Sequence, residues 1–152
     1  MKQRLGSLLL LLAVWQLPDT AFSEDLIMTR SLLAFPEAML ALQESIVAHG
    51  YTVSRVQRID VGLTGMGYET DKYRVVFAGK IEEIRQITDK APKLTPFLPA
   101  KIAIFAEDEQ TVLVTINPQQ YGKIAGDAID PAIFDRWEND LRSIFNDVNS
   151  AR

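Results

Sequence analysis

The chain has no cysteine and only one histidine, His49. Without a thiol it cannot form a disulfide, a thiolate metal site, a haem attachment pair, a lipoprotein anchor or a cysteine nucleophile. A Ser-His-Asp triad would have His49 as its one base, but this residue stands beside Gly50 at a predicted helix end, where a histidine commonly serves as a cap or surface residue. The sequence therefore predicts no catalytic residue and no cofactor.

The chain also lacks the ligand patterns of common metal sites. His49 with Met28, Met39 and Met66 could supply soft ligands for copper(I), but there are only four methionines and no Met-rich tract. The acidic turn "EDEQ" lacks the alternating ligands and the distal glutamate of a calcium loop. We therefore expect these side chains to be packed or solvated, with no metal bound.

The first 23 residues have the pattern of a secretory signal peptide. Lys2 and Arg4 precede an apolar stretch from Leu5 to Leu17, and Ala21-Phe22-Ser23 supplies small residues for cleavage after residue 23. A membrane anchor is the competing interpretation, but the stretch is shorter than the roughly 20 apolar residues of a spanning helix, and no later span is predicted. A cysteine-free exported protein of this kind is expected in a bacterial periplasm.

Positive charge is not in excess, since 16 Lys and Arg stand against 20 Asp and Glu, a formal net charge of −4. Loss of Lys2, Arg4 and Asp19 with the signal takes away a net +1, so −4 becomes −5. Binding to a phosphate backbone requires clustered positive charge. A nucleic-acid partner is therefore not expected.

Composition and periodicity predict one α+β domain over residues 24–152. With 47% hydrophobic and 24% charged residues, the chain is typical of a single globular unit. The predicted order is β-α-β-β-α-β-β-α, in a mostly antiparallel or mixed sheet with helices packed on it. "YTVSRVQRIDVGL" is predicted as one half-exposed strand with an irregularity near Arg55, and "GLTGMG" as part of a mobile loop that could close over a ligand.

Three helices are predicted from their ends and their apolar faces. The first begins at Phe35-Pro36-Glu37 and ends at Gly50, and the second ends before Pro92. The last follows the N-cap Asp130, with Pro131 at the first helical position. Its apolar stripe consists of Phe134, Trp137, Leu141, Ile144 and Val148.

The most ordered pattern is "LTPFLPAKIAIFAEDEQTVLVTINPQQYG", residues 94–122. Pro92, Pro96 and Pro99 restrict a crossing loop, and "KIAIFA" and "TVLVTI" flank the acidic turn as a β-hairpin. Both strands are nearly continuous apolar runs, so we expect them to lie centrally with both faces of the sheet covered. The last helix and a partner subunit are the two candidates for covering the second face.

A mixed group of aromatic and polar residues flanks the predicted hairpin and could form a concave ligand site. Aromatic walls with one or two cations would suit a small anionic or amphipathic ligand. The ligand-binding candidates are Tyr73, Lys80, Phe97, Lys101, Asn117 and Tyr121. The alternative is a structural role, since strand-end and loop residues usually position the chain, and Tyr73 and Phe97 could belong to the core.

The run of segments from Met28 to Val148 resembles the bacterial family catalogued as domain of unknown function 302. "FPEAMLALQESIVAHGYTV", "YRVVFAGKIEEIRQI" and "LTPFLPAKIAIFAEDEQTVLVTINP" carry the resemblance, together with the C-terminal helix. It implies a compact α/β domain, often dimeric, with no established reaction. Pro99, Asn117 and Pro118 are the family-motif positions, for which the resemblance implies an architectural role.

Two positions depart from the family pattern. Many relatives carry a cysteine directly after Leu-Pro, where this chain has Ala100, and Asn-Pro before the second helix, where it has Gly79-Lys80. A thiol role in those relatives therefore cannot apply here.

Three classes of function are compatible with these patterns. The favoured one is a periplasmic binding or accessory module, a homodimer with a small apolar ligand or partner site near the proline-rich loop. The second is a hydrolase or isomerase that uses the carboxylates Asp60, Glu69 or Asp71 around the Gly-rich loop. The third is a purely structural partner in an envelope complex.

Overall fold

The computed structural model describes residues 25–151, so the predicted signal peptide lies outside the described residues. The strands are β1 (Leu26–Ser31), β2 (Thr52–Arg58), β3 (Tyr73–Gly79), β4 (Ala100–Glu107) and β5 (Gln110–Ile116). They form one five-stranded sheet in the order β1-β5-β4-β3-β2, and each neighbouring pair is antiparallel. The predicted α+β class is confirmed, and so is the β4–β5 hairpin, with β4 at the centre of the sheet.

Helices connect and cover the strands. They are α1 (Phe35–Ala48), α2 (Ile59–Gly65), α3 (Ile81–Lys90), α4 (Gln119–Ala125) and α5 (Pro131–Ser150), with short 3-10 helices at Pro92–Phe97 and Gly126–Ala128. None of these helices, in the part of the chain described, is both long and apolar enough to cross a membrane.

The predicted helix ends of α1 and α5 are confirmed. The carboxylate of Asp130 accepts the backbone N–H of Ala132 at 3.0 Å, and Pro131 occupies the first turn of α5. Gly50 follows α1 with a φ of 77°, a left-handed conformation that favours glycine. These local signals alone place both helices at the correct positions in the sequence.

A single core lies between one face of the sheet and the two long helices α1 and α5. From the sheet it contains Ile27, Val76, Ile102, Ile104 and Leu113, which are all buried. From α5 it contains the whole predicted stripe, including Phe134 and Trp137. The last helix therefore covers the sheet of its own chain, on the same face as α1.

Residues Ile59–Gly65 form the helix α2, and the predicted strand through them is wrong. Ile59 and Val61 continue the alternation of β2, but Asp60 pairs with Arg74 of β3, and the Thr64 hydroxyl donates to the Asp60 carbonyl at 2.8 Å. A carboxylate in the first turn also suits the helix dipole. The predicted irregularity near Arg55 is confirmed, because the β2–β3 register shifts between Val53 and Arg55.

The helix α4 and the 3-10 turn Pro92–Phe97 are further differences from the prediction. The side-chain carbonyl of Asn117 accepts the backbone N–H of Gln119 at 3.0 Å, and Pro118 precedes the first helical residue. The Asn-Pro pair therefore starts a helix as well as ending β5. In the crossing loop, Pro92 opens the 3-10 turn, since proline tolerates a first helical position.

The opposite face of the sheet carries apolar side chains that none of the helices within residues 25–151 covers. We call it the open face. It consists of Leu26, Met28, Tyr73, Val75, Phe77, Ala103, Phe105, Val112, Val114 and Ile116, which strand alternation and register place together. None of them belongs to the core cluster. Val112 is only 1% exposed, whereas Leu26, Met28 and Ile116 are 52%, 57% and 40% exposed, so within residues 25–151 this face is covered only in part.

Candidate functional site

A cavity of about 320 Å³ lies where α4 and the 3-10 turn meet the edge of the sheet. We call it the Tyr121 cavity. It is lined by Asp25, Leu26, Phe97, Ile116, Gln120, Tyr121 and Ile124. Its volume is at the lower end of the roughly 300–1,000 Å³ of small-molecule sites. Most of its lining is apolar, which suits a small, largely apolar ligand.

Three elements hold the walls of this cavity. Leu26 of β1 lies directly opposite Ile116 of β5. Phe97 ends the 3-10 turn, and its ring lies 6.3 Å from that of Tyr121 between centroids, at an angle of 41°. The ammonium group of Lys101 donates to the carbonyl of Pro96 at 3.0 Å and so ties β4 to the turn that carries Phe97.

Tyr121 is the polar group of greatest interest in the cavity. The residue is only 2% exposed, and its hydroxyl, which bonds to no residue of the described chain, 25–151, is not among the fully buried polar atoms and so keeps contact with solvent. Burial raises the pKa of Tyr121 to about 12. The hydroxyl is therefore protonated at neutral pH and can donate a hydrogen bond to a ligand in the cavity.

The polar side chains at the rim of the cavity already pair with one another. The side-chain amide of Gln120 donates to the Asp25 carboxylate at 2.8 Å, and Lys123 lies 3.9 Å from the same oxygen. Both charged side chains are largely exposed, so this pair contributes little to stability. It marks the polar edge of an otherwise apolar site.

Asn117 is buried and serves the architecture beside the cavity. Its amide donates to Glu138 of α5 at 3.1 Å, and its backbone N–H donates to the carbonyl of Asp25 at 2.9 Å. With the bond from Gln119, these contacts join the end of β5 to β1, α4 and α5. Pro99 precedes β4 after a cis Leu98–Pro99 peptide bond.

Lys80 lies in a separate polar cluster between β3 and α5. Its ammonium group donates to Asp140 at 3.0 Å and sits 4.7 Å above the ring of Tyr51, whose hydroxyl donates to the same carboxylate oxygen at 2.9 Å. Burial, reinforced by Asp140, raises the pKa of Tyr51 well above its usual range. Each of the three side chains thus has a polar partner within the cluster.

Tyr73 lies at a third place, in a cavity of about 480 Å³ formed by residues 70–73 and the end of β4. Its ring packs edge-to-face on Phe105 with centroids 6.0 Å apart. Of the six candidate residues, the structure thus brings together Phe97 and Tyr121, with Lys101 and Asn117 nearby in supporting contacts. Tyr73 and Lys80 do not join them.

The carboxylates considered for catalysis are dispersed. A hydrogen bond from Arg74 lowers the pKa of Asp60, which is the opposite of what a general acid at neutral pH requires. Glu69 and Asp71 are exposed on the loop before β3. Asp71 lines the cavity beside Tyr73.

His49 pairs with Asp147 of α5 at 3.0 Å, and the same carboxylate oxygen accepts the hydroxyl of Ser45 at 2.6 Å. In a catalytic triad the imidazole contacts the nucleophilic hydroxyl. Here the Ser45 hydroxyl and the His49 imidazole both contact the Asp147 carboxylate, which is not the arrangement of a triad. Over residues 25–151, no three His, Cys, Asp or Glu side chains are grouped so as to hold a metal ion.

The fold and this site define a single-domain α+β protein whose antiparallel sheet is open on one face and has a small apolar cavity at its edge. The family model "Domain of unknown function DUF302" matches residues 27–148, and the chain belongs to this family. No curated protein matches the chain.

A solved structure has the same fold. The crystal structure of an uncharacterized conserved DUF302 protein from Bacillus stearothermophilus is similar to this one with a TM-score of 0.73 and 17% sequence identity. The match covers 86% of this chain and 100% of that chain. At this identity the likeness shows the fold alone.

Sequence patterns alone missed five of the seven residues that line the cavity, Asp25, Leu26, Ile116, Gln120 and Ile124. Leu26 and Ile116 look like ordinary strand residues, although each is the outward member of an alternating pair with a buried neighbour. Gln120 and Ile124 belong to α4, which the sequence did not predict. The helical spacing of Gln120, Tyr121 and Ile124 could have predicted α4. The preceding Asn117-Pro118 was interpreted only as the end of a strand, so the helix was missed.

Proposed function

We propose that this chain is a periplasmic binding module that takes a small, largely apolar molecule with one hydrogen-bond acceptor in the Tyr121 cavity. The observation that carries the proposal is a cavity with a mostly apolar lining into which Tyr121 brings one hydroxyl that bonds to no residue within 25–151. This hydroxyl reaches solvent through the cavity, so a ligand that fills the cavity can offer it an acceptor in place of water.

The residues that line the cavity determine which other chemical groups the ligand can have. Leu26, Phe97, Ile116 and Ile124 present only hydrocarbon surface to the cavity. The carboxylate and amide at the rim already pair with each other. A compact molecule with a carbonyl or ether oxygen on an apolar skeleton fits this arrangement better than a charged or polyhydroxylated one.

The N-terminal sequence supports the assignment to the periplasm. Lys2 and Arg4, the apolar stretch 5–17 and the small residues Ala21 and Ser23 have the order of a cleaved signal. Expression of the full chain, followed by fractionation of the cells and sequencing of the N-terminus, tests this directly. A periplasmic protein that begins at Glu24 is expected, and an uncleaved protein retained in the membrane would contradict the assignment.

A matched ligand pair tests the cavity. 2-Acetylnaphthalene and 2-isopropylnaphthalene have nearly the same shape, and only the ketone can accept a hydrogen bond. Both are expected to displace the fluorescent probe N-phenyl-1-naphthylamine from the protein beginning at Glu24, with the ketone bound more tightly. Tyr121→Phe should weaken the ketone by roughly fivefold, the effect of about 1 kcal/mol for one hydrogen bond, and leave the hydrocarbon unchanged.

Two further variants complete the design. Ile124→Trp fills the cavity and should abolish binding of both compounds. Tyr68→Phe removes a hydroxyl from a residue that is 62% exposed outside the cavity, and it should change nothing. Equal binding of both compounds by the parent protein and by the filled variant would show that the cavity is not the site.

A further inference from the structure

Two cations flank an aromatic ring at one end of the open face. Phe77 of β3 lies directly opposite Arg55 of β2 on one side and Lys101 of β4 on the other. Side chains that face each other across antiparallel strands stand on the same side of a sheet. Arg55 and Lys101 therefore project from the open face on either side of Phe77, and we call these two residues the cationic end.

Both charges of the cationic end remain available to a ligand. The two residues are exposed, and the Arg55 guanidinium makes no hydrogen bond or ion pair with any residue of the described range 25–151. The Lys101 ammonium donates to the carbonyl of Pro96 at 3.0 Å, which leaves its other N–H donors free. The two backbones lie about 10 Å apart, twice the spacing of neighbouring strands. Their long side chains can therefore reach the same anion above Phe77.

An apolar row of side chains begins beside the cationic end. It consists of Val75, Ala103, Val114 and Met28, which lie opposite one another in that order across β3, β4, β5 and β1. Met28 is 57% exposed, and the other three are half-buried. A hydrocarbon chain laid across this row would exchange contact with water for contact with all four side chains.

The other end of the same face is acidic. Glu107 ends β4 and pairs with Arg30 at 3.0 Å, and the exposed Asp108 and Glu109 follow in the turn. A negatively charged membrane surface laid on the whole face would meet these carboxylates as well as the cationic end. A single molecule whose charge reaches only the cationic end avoids that repulsion. The charge distribution therefore favours one bound amphiphile over a lipid bilayer.

We propose that the open face binds a single-chain anionic amphiphile, with its negative head between Arg55 and Lys101 and its hydrocarbon chain across the apolar row. The arginine can hold a carboxylate through two parallel hydrogen bonds, and the lysine adds a compact positive charge. Phe77 supplies apolar surface beneath the junction of head and chain. The Tyr121 cavity is lined by other residues, so this site does not depend on the proposed function.

The test uses dodecanoate and dodecyltrimethylammonium, which carry the same chain on heads of opposite charge. Isothermal titration calorimetry on the protein beginning at Glu24, at concentrations below micelle formation, should show that dodecanoate binds and that the cation binds about tenfold more weakly. Decanoate should bind about fourfold more weakly than dodecanoate, roughly twofold for each CH₂ group, because one side of the chain stays in water.

Substitutions at the cationic end locate the head of the ligand. Arg55→Gln and Lys101→Gln should each weaken dodecanoate binding roughly fivefold, the upper end for an exposed ion pair, and should not weaken binding of the cation. Arg58→Gln is the matched control, because Arg58 is also exposed on β2 but lies opposite Arg74 and so faces away from the open face. The double variant Arg55→Glu with Lys101→Glu should reverse the preference, so that the cation binds more tightly than dodecanoate.

The outcomes separate this site from the Tyr121 cavity. Equal affinity for the two amphiphiles, or dodecanoate binding that neither Arg55→Gln nor Lys101→Gln weakens, overturns the cationic end as the head site. Loss of dodecanoate binding in Ile124→Trp would place the chain in the Tyr121 cavity and overturn the site on the open face. Binding to phosphatidylglycerol vesicles without binding to dodecanoate would replace the single molecule by a bilayer. Dodecanoate that binds Ile124→Trp normally and Arg55→Gln weakly supports the proposal, even where the naphthyl ketone fails to bind.

Discussion

The hydroxyl of Ser45 on α1 donates to Asp147 on α5 across 2.6 Å, and His49, directly after the last residue of α1, reaches the same carboxylate oxygen at 3.0 Å. Residue Ser45 is buried, whereas the Asp147 side chain is 54% exposed. The one histidine of the chain is thus used to join its two longest helices. Their polar contact closes the edge of the core that Ile46 and Val148 occupy.

Asp147 should make stability depend on pH in the acidic range. The hydrogen bond from Ser45, followed by that from His49, lowers the pKa of Asp147 in the folded protein. The carboxylate therefore contributes fully above its ordinary pKa near 3.9, and its contribution is lost as the pH falls through the lower folded value. Asp147→Asn should cost at most about 1 kcal/mol at neutral pH, because the group is exposed. Urea unfolding should show that the difference from the parent shrinks in acid, and a constant difference would contradict this account.

The cluster of Tyr51, Lys80 and Asp140 should behave as one unit. Tyr51→Phe removes one hydrogen bond to Asp140 but keeps the ring beneath Lys80, so a loss of about 1 kcal/mol in the free energy of unfolding is expected. Asp140→Asn should cost more, since it also removes the counter-charge of Lys80. The double variant should lose less than the sum, because both changes remove the same hydrogen bond. Strict additivity in urea unfolding would show that the hydroxyl and the carboxylate act independently.

Trp137 provides a direct test of the contact between α3 and α5. Its indole N–H donates to Glu83 at 2.7 Å, and Arg136 donates to the other oxygen of that carboxylate at 2.8 Å. Glu83→Ala leaves a nearly buried N–H without its acceptor and should cost about 1–3 kcal/mol. Glu82→Ala, which removes a 74% exposed neighbour, should stay within about 0.5 kcal/mol of the parent. Trp137 is the only tryptophan after residue 23 and reports both unfolding curves by its fluorescence. Equal losses would argue against the bond.

Sequence reasoning succeeded where the signal is local. Asp130 and Pro131 mark the start of α5 by their own chemistry, and a stripe from Phe134 to Val148 defines its buried face. The β4–β5 hairpin followed in the same way from two apolar runs around an acidic turn. In each case the residues that form the element also determine its boundaries.

The wrong predictions concern residues whose structure depends on contacts with residues far away in the sequence. Ile59 and Val61 continue the alternation of β2, and the contact that distinguishes α2 from a longer strand, the pairing of Asp60 with Arg74, is with a residue of β3. Tyr73 begins β3, and Lys80 follows its last residue. Antiparallel pairing with β4 places Tyr73 opposite Phe105, beside the β4–β5 turn and away from Phe97. Strand alternation likewise gave no warning that one face of the sheet would remain open in the described chain.

Gly79 should be intolerant of a side chain for a reason that involves two other residues. A Cβ at this position would overlap the end of the Ile84 side chain and lie 3.3 Å from the Cβ of Pro99. Ile84 can rotate, but Pro99 is held at the start of β4, so Gly79→Ala should destabilise the fold by about 1–3 kcal/mol through overpacking. Adding Ile84→Val, which removes the overlapping methyl group, should restore part of that loss. Gly62→Ala is the matched control, because a Cβ there meets nothing within 4 Å and alanine favours the helix α2. If Gly79→Ala and Gly62→Ala were equally stable in urea unfolding, close packing would not be the reason for glycine at position 79.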